Sequence, residues 1–171
     1  EVPADNPLTA AKIELGKKLY FDPRLSSDDT ISCATCHDPR AGFAEHKPVS
    51  DGVAGGRGNR NAPTVMNAAF FREQFWDGRA PSLEAQAVGP IINPVEMAMP
   101  EHPAVEKKLA GLAEYPPLFQ KAFGDPEVTI SRIGKALASF ERTLVSLDAP
   151  IDRFLAGDAT AYMRPGQSDG E

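Results

Sequence analysis

The chain is poor in cysteine: only Cys33 and Cys36 occur among its 171 residues, three positions apart. Both lie in one short motif, so no disulfide framework remains to organise the fold. Histidine is nearly as scarce, with His37 directly after the second cysteine and His46 and His102 far from each other. No apolar run reaches the length of a membrane span. Blocks of five or six basic residues are missing as well. With a net charge of −6 and a pI of about 5.1, a nucleic-acid role has little support, whereas an acidic surface suits a basic protein partner. The chain opens on Glu1-Val2-Pro3 instead of a basic and then apolar leader, which is expected of a processed, exported protein. A hydrophobic content of 42% is enough for an ordinary core in one domain, or one and a fraction.

The rest of the chain is organised around Cys33-Ala34-Thr35-Cys36-His37. Two thiols three positions apart can form thioethers to the two vinyl groups of one haem, and the next side chain then lies under the iron. The stretch reads as a covalent haem c site with His37 as proximal ligand. The competing readings are a redox dithiol and half of a zinc site. A redox pair normally follows a strand, and Thr30-Ile31-Ser32 is too short to be one; a zinc site needs two more ligands, and no third cysteine exists.

Periodicity elsewhere is helical, and the fold class expected is all-α. Thr9 is a plausible N-cap for a helix to about Tyr20, with Ile13, Leu15 and Leu19 inward and Lys12, Lys17 and Lys18 solvated. Thr30 to His37 should be a short helical turn. From Asp38 to Asn61, five glycines and two prolines without a sustained period indicate a long loop, of the functional or mobile kind. Ala62 to Ala69 reads as a short helix entered through Pro63. Phe70, Phe71, Phe75 and Trp76 form the densest aromatic cluster, expected in the core. Ser82 caps a helix to about Val88, with Glu84 in its first turn. Helices starting at Pro103 and at Pro116-Pro117 follow, the second ending at Gly124. Thr129 then caps the main structural helix, in which Ile130, Ile133, Leu137, Phe140, Leu144 and Leu147 recur three and four apart. Pro150 opens a short turn, and the tail from Gly157 is polar.

Several side chains are candidates for chemistry. Glu96 is flanked by Val95, Met97 and Met99 in a segment with three prolines, an apolar setting that would raise its pKa and suit it to carry protons near neutral pH. Met97, Met99 or His46 could supply a sixth iron ligand, or could be packing methionines and a surface histidine. Gly52 to Gly58 is glycine-rich but lacks the Lys-Ser/Thr ending and the flanking elements of a phosphate cradle.

Five motifs occur in fixed order: Cys33 to His37; Gly58-Asn59-Arg60-Asn61-Ala62-Pro63-Thr64; Phe75-Trp76-Asp77-Gly78-Arg79-Ala80; Asn93-Pro94-Val95-Glu96-Met97; and Phe140-Glu141-Arg142-Thr143-Leu144. From about Ala11 to Asp158 the chain resembles the N-terminal domain of the bacterial di-haem cytochrome c peroxidases, a superfamily that includes the MauG-type enzymes. The resemblance implies a cytochrome c-like helical domain around one covalent haem, attached through Cys33 and Cys36 and ligated by His37. It implies that Glu96 and Gln86 line the distal pocket, that Trp76 lies between two haems, and that Asn61 contributes to an interdomain calcium site. It also implies a periplasmic location and electrons from a small soluble cytochrome c or cupredoxin, delivered through a second haem.

Two departures matter. A loop histidine that blocks the resting iron in many such peroxidases has no counterpart in Val53 to Asn59, so an iron not blocked by that loop is expected unless His46 reaches it. The second haem domain is absent: residues 1–158 form one haem domain, and 159–171 are a polar tail or the start of the missing half. The leading expectation is a haem domain that reduces hydrogen peroxide to water. The alternatives are a single-haem electron-transfer cytochrome and a MauG-like enzyme that oxidises a protein.

Overall fold

A computed structural model describes residues 2–158 and 160–161. Its seven helices are α1 (Ala10–Tyr20), α2 (Cys33–Cys36), α3 (Leu83–Ile92), α4 (His102–Ala110), α5 (Tyr115–Phe123), α6 (Ile130–Glu141) and α7 (Pro150–Leu155). Isolated antiparallel bridges, Asp38 with Ala44, Asp51 with Arg57 and Gln74 with Ala80, pin the intervening loops, and no strand occurs among the described residues. The fold is all-α and cytochrome c-like. Residues of the expected tail from 159 on lie outside the described part, apart from Thr160 and Ala161.

Local chemistry sets the helix starts. The hydroxyls of Thr9, Ser82 and Thr129 accept hydrogen bonds from the backbone N–H groups of Lys12, Ala85 and Arg132, at 3.3, 3.2 and 3.3 Å. Lys17 and Lys18 in the last turn of α1 suit the negative end of its dipole. Gly124, at φ 92°, closes α5 in a left-handed conformation.

The core forms where α1 crosses α6, with α3 and α5 packed alongside. Leu15, Leu19, Tyr20, Ile133 and Leu137 are fully buried there with Ile91, Val105, Leu109, Tyr115 and Phe119. The crossing is close because position 16 is glycine: a Cβ there would stand 1.9 Å from the Ala136 carbonyl oxygen and 3.0 Å from the Phe140 Cβ. No side chain fits between the two backbones.

Polar groups fasten this scaffold. Asn6, fully buried, donates to Glu84 Oε1 at 2.9 Å and to the Lys135 carbonyl at 3.1 Å. Glu84 also takes a forked pair of hydrogen bonds from Arg142, at 2.6 and 3.1 Å. Asp22 accepts from Tyr115 Oη at 2.5 Å and from Arg24; burial works against its ionisation, but these hydrogen bonds hold its carboxyl down to about 2.

The structure corrects five expectations. Lys12 is not solvated: it is 7% exposed, and its Nζ donates to Asn6 Oδ1 at 3.1 Å and the Pro7 carbonyl at 3.0 Å. Residues 62–69 do not form a helix, because their backbone groups bond across the fold, Val65 N to the Phe43 carbonyl and Asn67 N to the Leu144 carbonyl. The helix after Ser82 runs past Pro90 to Ile92; the proline deletes one hydrogen bond, while Ile91 beyond it is fully buried. The aromatic cluster is not core: Phe70, Phe71 and Trp76 are 57%, 60% and 63% exposed. The apolar stripe of the last long helix also outruns the helix itself, which stops at Glu141 and leaves Leu147 exposed.

Replacing Gly16 by alanine should lower unfolding stability by about 3 kcal/mol, the cost of overpacking against a backbone that cannot retreat. Denaturant midpoints of the two proteins measure this, and coincident midpoints would show that the crossing does not depend on the contact.

Candidate haem site

α2 is a single helical turn, started where the Ser32 N–H donates to Thr35 Oγ1 at 3.0 Å. It carries both thiols, and neither is in a disulfide. Tyr20 ties it to α1, its hydroxyl donating to the His37 carbonyl at 3.0 Å. The Cys36 thiol faces the next loop and donates to the Asp51 carbonyl at 3.7 Å.

The imidazole of His37 is fixed by its Nδ1, 2.9 Å from the Pro63 carbonyl oxygen. A carbonyl can only accept, so Nδ1 carries the proton and Nε2 is the nitrogen left for a metal. Burial holds the ring below the usual histidine pKa, although the bond to Pro63 works the other way, so it stays neutral and fit to ligate.

The thiols do not behave as a redox pair. Burial pushes Cys33 up to about 12, with the Glu141 charge adding to it, and burial followed by Glu45 raises Cys36. A reactive dithiol needs the opposite shift. Among the described residues, no group of three or more His, Cys, Asp or Glu side chains could hold a metal ion, which removes the support for zinc. Two adjacent neutral thiols and an imidazole with a free Nε2 are the donor set that haem c requires, and the residues fit it.

Glu96 stands in the turn after α3. Asn93 Nδ2 donates to its Oε1 at 2.7 Å, and its backbone carbonyl accepts from Val53 N at 3.0 Å. The loop that supplies Val53 also supplies Asp51, the partner of Cys36, so residues 51–53 bridge the haem-attachment turn to Glu96. Gly52 makes that bridge possible: a Cβ there would lie 2.1 Å from the Val95 carbonyl oxygen and 2.9 Å from that of Glu96. Burial raises the pKa of Glu96, with the Arg79 charge and the Asn93 hydrogen bond offsetting part of the effect. The charge of Glu96 reaches the Cys36 thiol in turn.

Arg79 lies with its guanidinium 3.5 Å from the centre of the Phe75 ring and pairs with Asp77 at 2.8 Å. Trp76 Nε1 donates to the Asn61 carbonyl at 2.8 Å, and Arg60 pairs with Asp77 at 3.0 Å, so the second and third motifs meet. Asn61 Nδ2 donates to the carbonyls of Glu45 and Lys47, at 3.0 and 2.6 Å. Phe43 and Phe75 adopt φ of 56° and 68°, sparse territory for bulky residues that concentrates where structure serves function.

The sequence-derived candidates therefore divide. His37, Cys33, Cys36 and Glu96 are brought together, and Trp76 and Asn61 join each other. Gln86 lies half-buried on α3, and its side chain makes no hydrogen bond among the described residues. His46 is exposed, and Met97 and Met99, 3% and 6% exposed, pack in the hydrophobic core. The roles found here for Pro63, Gly52 and Arg79 were not read from the sequence. Pro63 and Arg79 lie within the recognised motifs, and the backbone role of Pro63 and Gly52 has no side-chain signature.

The family described as di-haem cytochrome c peroxidase matches residues 10–160. The chain is 46% identical over 160 residues to a cytochrome c551 peroxidase of Nitrosomonas europaea, covering 94% of this chain and 48% of that protein. It is 44% identical over 159 residues to the methylamine utilization protein MauG of Methylophilus methylotrophus, covering 93% of this chain and 47% of that one. A solved structure of a MauG-like protein associated with microbial copper homeostasis superposes with a TM-score of 0.84 at 29% identity, over 96% of this chain and 49% of that one. The chain thus spans about half the length of these relatives. Its motifs, its helical fold and this extent of similarity agree, and the chain belongs to the di-haem cytochrome c peroxidase family, whose membership implies haem c.

Proposed function

We propose that this chain is the peroxide-reducing haem domain, over residues 1–158, of an exported bacterial enzyme. The observation that carries the reading is Glu96, a carboxyl of raised proton affinity held by the 51–53 bridge beside the turn that bears Cys36. Cys33 and Cys36 would hold haem c through thioethers and His37 Nε2 would ligate its iron, and the group would supply the redox chemistry for peroxide reduction. The net reaction consumes hydrogen peroxide, two electrons and two protons and yields two waters.

The residues of the chain manage the protons. The Glu96 carboxylate takes a proton from one peroxide oxygen and, now an acid, gives it to the departing one. The rise that burial gives its pKa favours the proton-accepting step. Gln86, on the neighbouring helix, orients peroxide by hydrogen bonding. The amide of Asn61, fixed by its two Nδ2 bonds, keeps its oxygen for calcium, a cation that prefers oxygen ligands.

Electrons come from a small soluble cytochrome c or cupredoxin by way of a second haem. What supports a second haem domain is the surface: Trp76, Phe70 and Phe71, together with Leu147, Phe154 and Leu155, are large apolar side chains left between 48% and 75% exposed. In this reading the exposed Trp76 stands between the haems. No helix among the described residues is long and apolar enough to cross a membrane, and a periplasmic location accords with haem c attachment.

Glu96→Gln in the haem-loaded protein should lower peroxide turnover by about 10²- to 10⁴-fold, the usual worth of a positioned acid–base group. Unchanged peroxide turnover would show that Glu96 is not the acid–base group. The pH profile gives a second check. Glu96 must be ionised to act as base, so activity should fall as the pH drops through its raised pKa. Asn93→Ala removes a hydrogen bond that favours the carboxylate, and the acid limb of the profile should move to higher pH. A limb that stays in place would separate Glu96 from the reaction.

A further inference from the structure

Glu141 ends α6 inside the protein, 5% exposed, and its buried Oε2 has no hydrogen-bond partner among the described residues. Its neighbour in sequence, Arg142, does not relieve it. Arg142 gives its two terminal nitrogens to Glu84, and its own Nε is buried without a partner. A buried carboxylate with an unpaired oxygen is costly, and such groups take up a proton instead.

The ionisable groups that share its surroundings are Tyr20 of α1, Cys33 of α2, Glu84 of α3 and Arg142 just after its own helix. Burial pushes Glu141 up to about 8, with Arg142 pulling down and Glu84 pushing up. The Glu141 charge acts on Cys33 and on Tyr20, whose hydroxyl is bonded to the His37 carbonyl. A haem attached at Cys33 and ligated by His37 therefore shares one poorly screened region with this carboxyl, and a change of charge on either acts on the other.

We propose that Glu141 is a proton-exchange site coupled to the redox state of the haem. As one electron from the redox donor enters, the carboxylate takes one proton from water; as the electron leaves, the carboxyl returns the proton. The added negative charge is compensated locally, so the interior carries no extra net charge in either state. The inference rests on the haem reading of Cys33, Cys36 and His37, and it concerns electron loading, not the peroxide chemistry of Glu96.

The test is a spectroelectrochemical titration of the haem-loaded protein and of Glu141→Gln between pH 6 and about 10, after covalent haem has been verified by intact mass. The wild-type potential should fall with rising pH, the slope approaching one proton per electron, and the variant should lose most of that slope. A wild-type potential independent of pH, or a variant that keeps the full slope, overturns the proposal and leaves the haem site intact. A chain that takes up no covalent haem overturns the haem reading and the proposal together. Infrared difference spectra of the wild-type protein need no variant: a protonated carboxyl carbonyl band should grow on reduction, and its absence is a second refutation.

Discussion

The proposed haem site depends on one hydrogen bond, from His37 Nδ1 to the Pro63 carbonyl at 2.9 Å. It settles the imidazole tautomer, leaves Nε2 as the only ring nitrogen for iron, and fixes the ring against rotation. It also explains the backbone around it. The Pro63 carbonyl serves His37 and Val65 N serves the Phe43 carbonyl, so residues 62–65 run extended along the haem-attachment turn. The helix that composition favours there would withdraw both groups.

The scaffold presents this ligand by close backbone approach. Where α1 crosses α6 at Gly16, the Tyr20 hydroxyl is brought to the His37 carbonyl; where the loop at Gly52 meets Val95 and Glu96, the Glu96 carboxyl is brought toward Cys36. Neither junction offers room for a Cβ. The two carboxyls near the haem-attachment turn differ in kind: Glu96 has a hydrogen-bond donor in Asn93, whereas Glu141 has an oxygen with none. A partly satisfied group suits proton transfer to a substrate, and a buried, unsatisfied one responds to charge in the interior.

Much of this was legible in the sequence. The three hydroxyl caps, the haem-attachment turn and the long loop after it stand where residue type and period placed them, because each is decided locally. What escaped is decided at a distance. Lys12 is spaced like a solvated residue, but the buried Asn6 and the Pro7 carbonyl bind its ammonium. Trp76, Phe70 and Phe71 are core residues by type, yet they are held on loops of a chain about half as long as its relatives, where nothing in the described residues covers them. Glu141 had a signal that could have been read: it lies four residues after Leu137 and eight after Ile133, a carboxyl on the apolar stripe of α6. The site itself was recognised from ordered motifs; the bridge from Asp51 through Val53 to Glu96 was not, since it is made of backbone.

The most direct measurement is the optical and paramagnetic-resonance spectrum of the ferric, haem-loaded protein before and after one equivalent of hydrogen peroxide. If His37 is the sole protein ligand to the iron, as proposed, with His46 exposed and Met97 and Met99 in the core, the resting spectrum should be high-spin and should change promptly with peroxide. A low-spin spectrum indifferent to peroxide would mean that a sixth ligand closes the iron, and it would contradict the account.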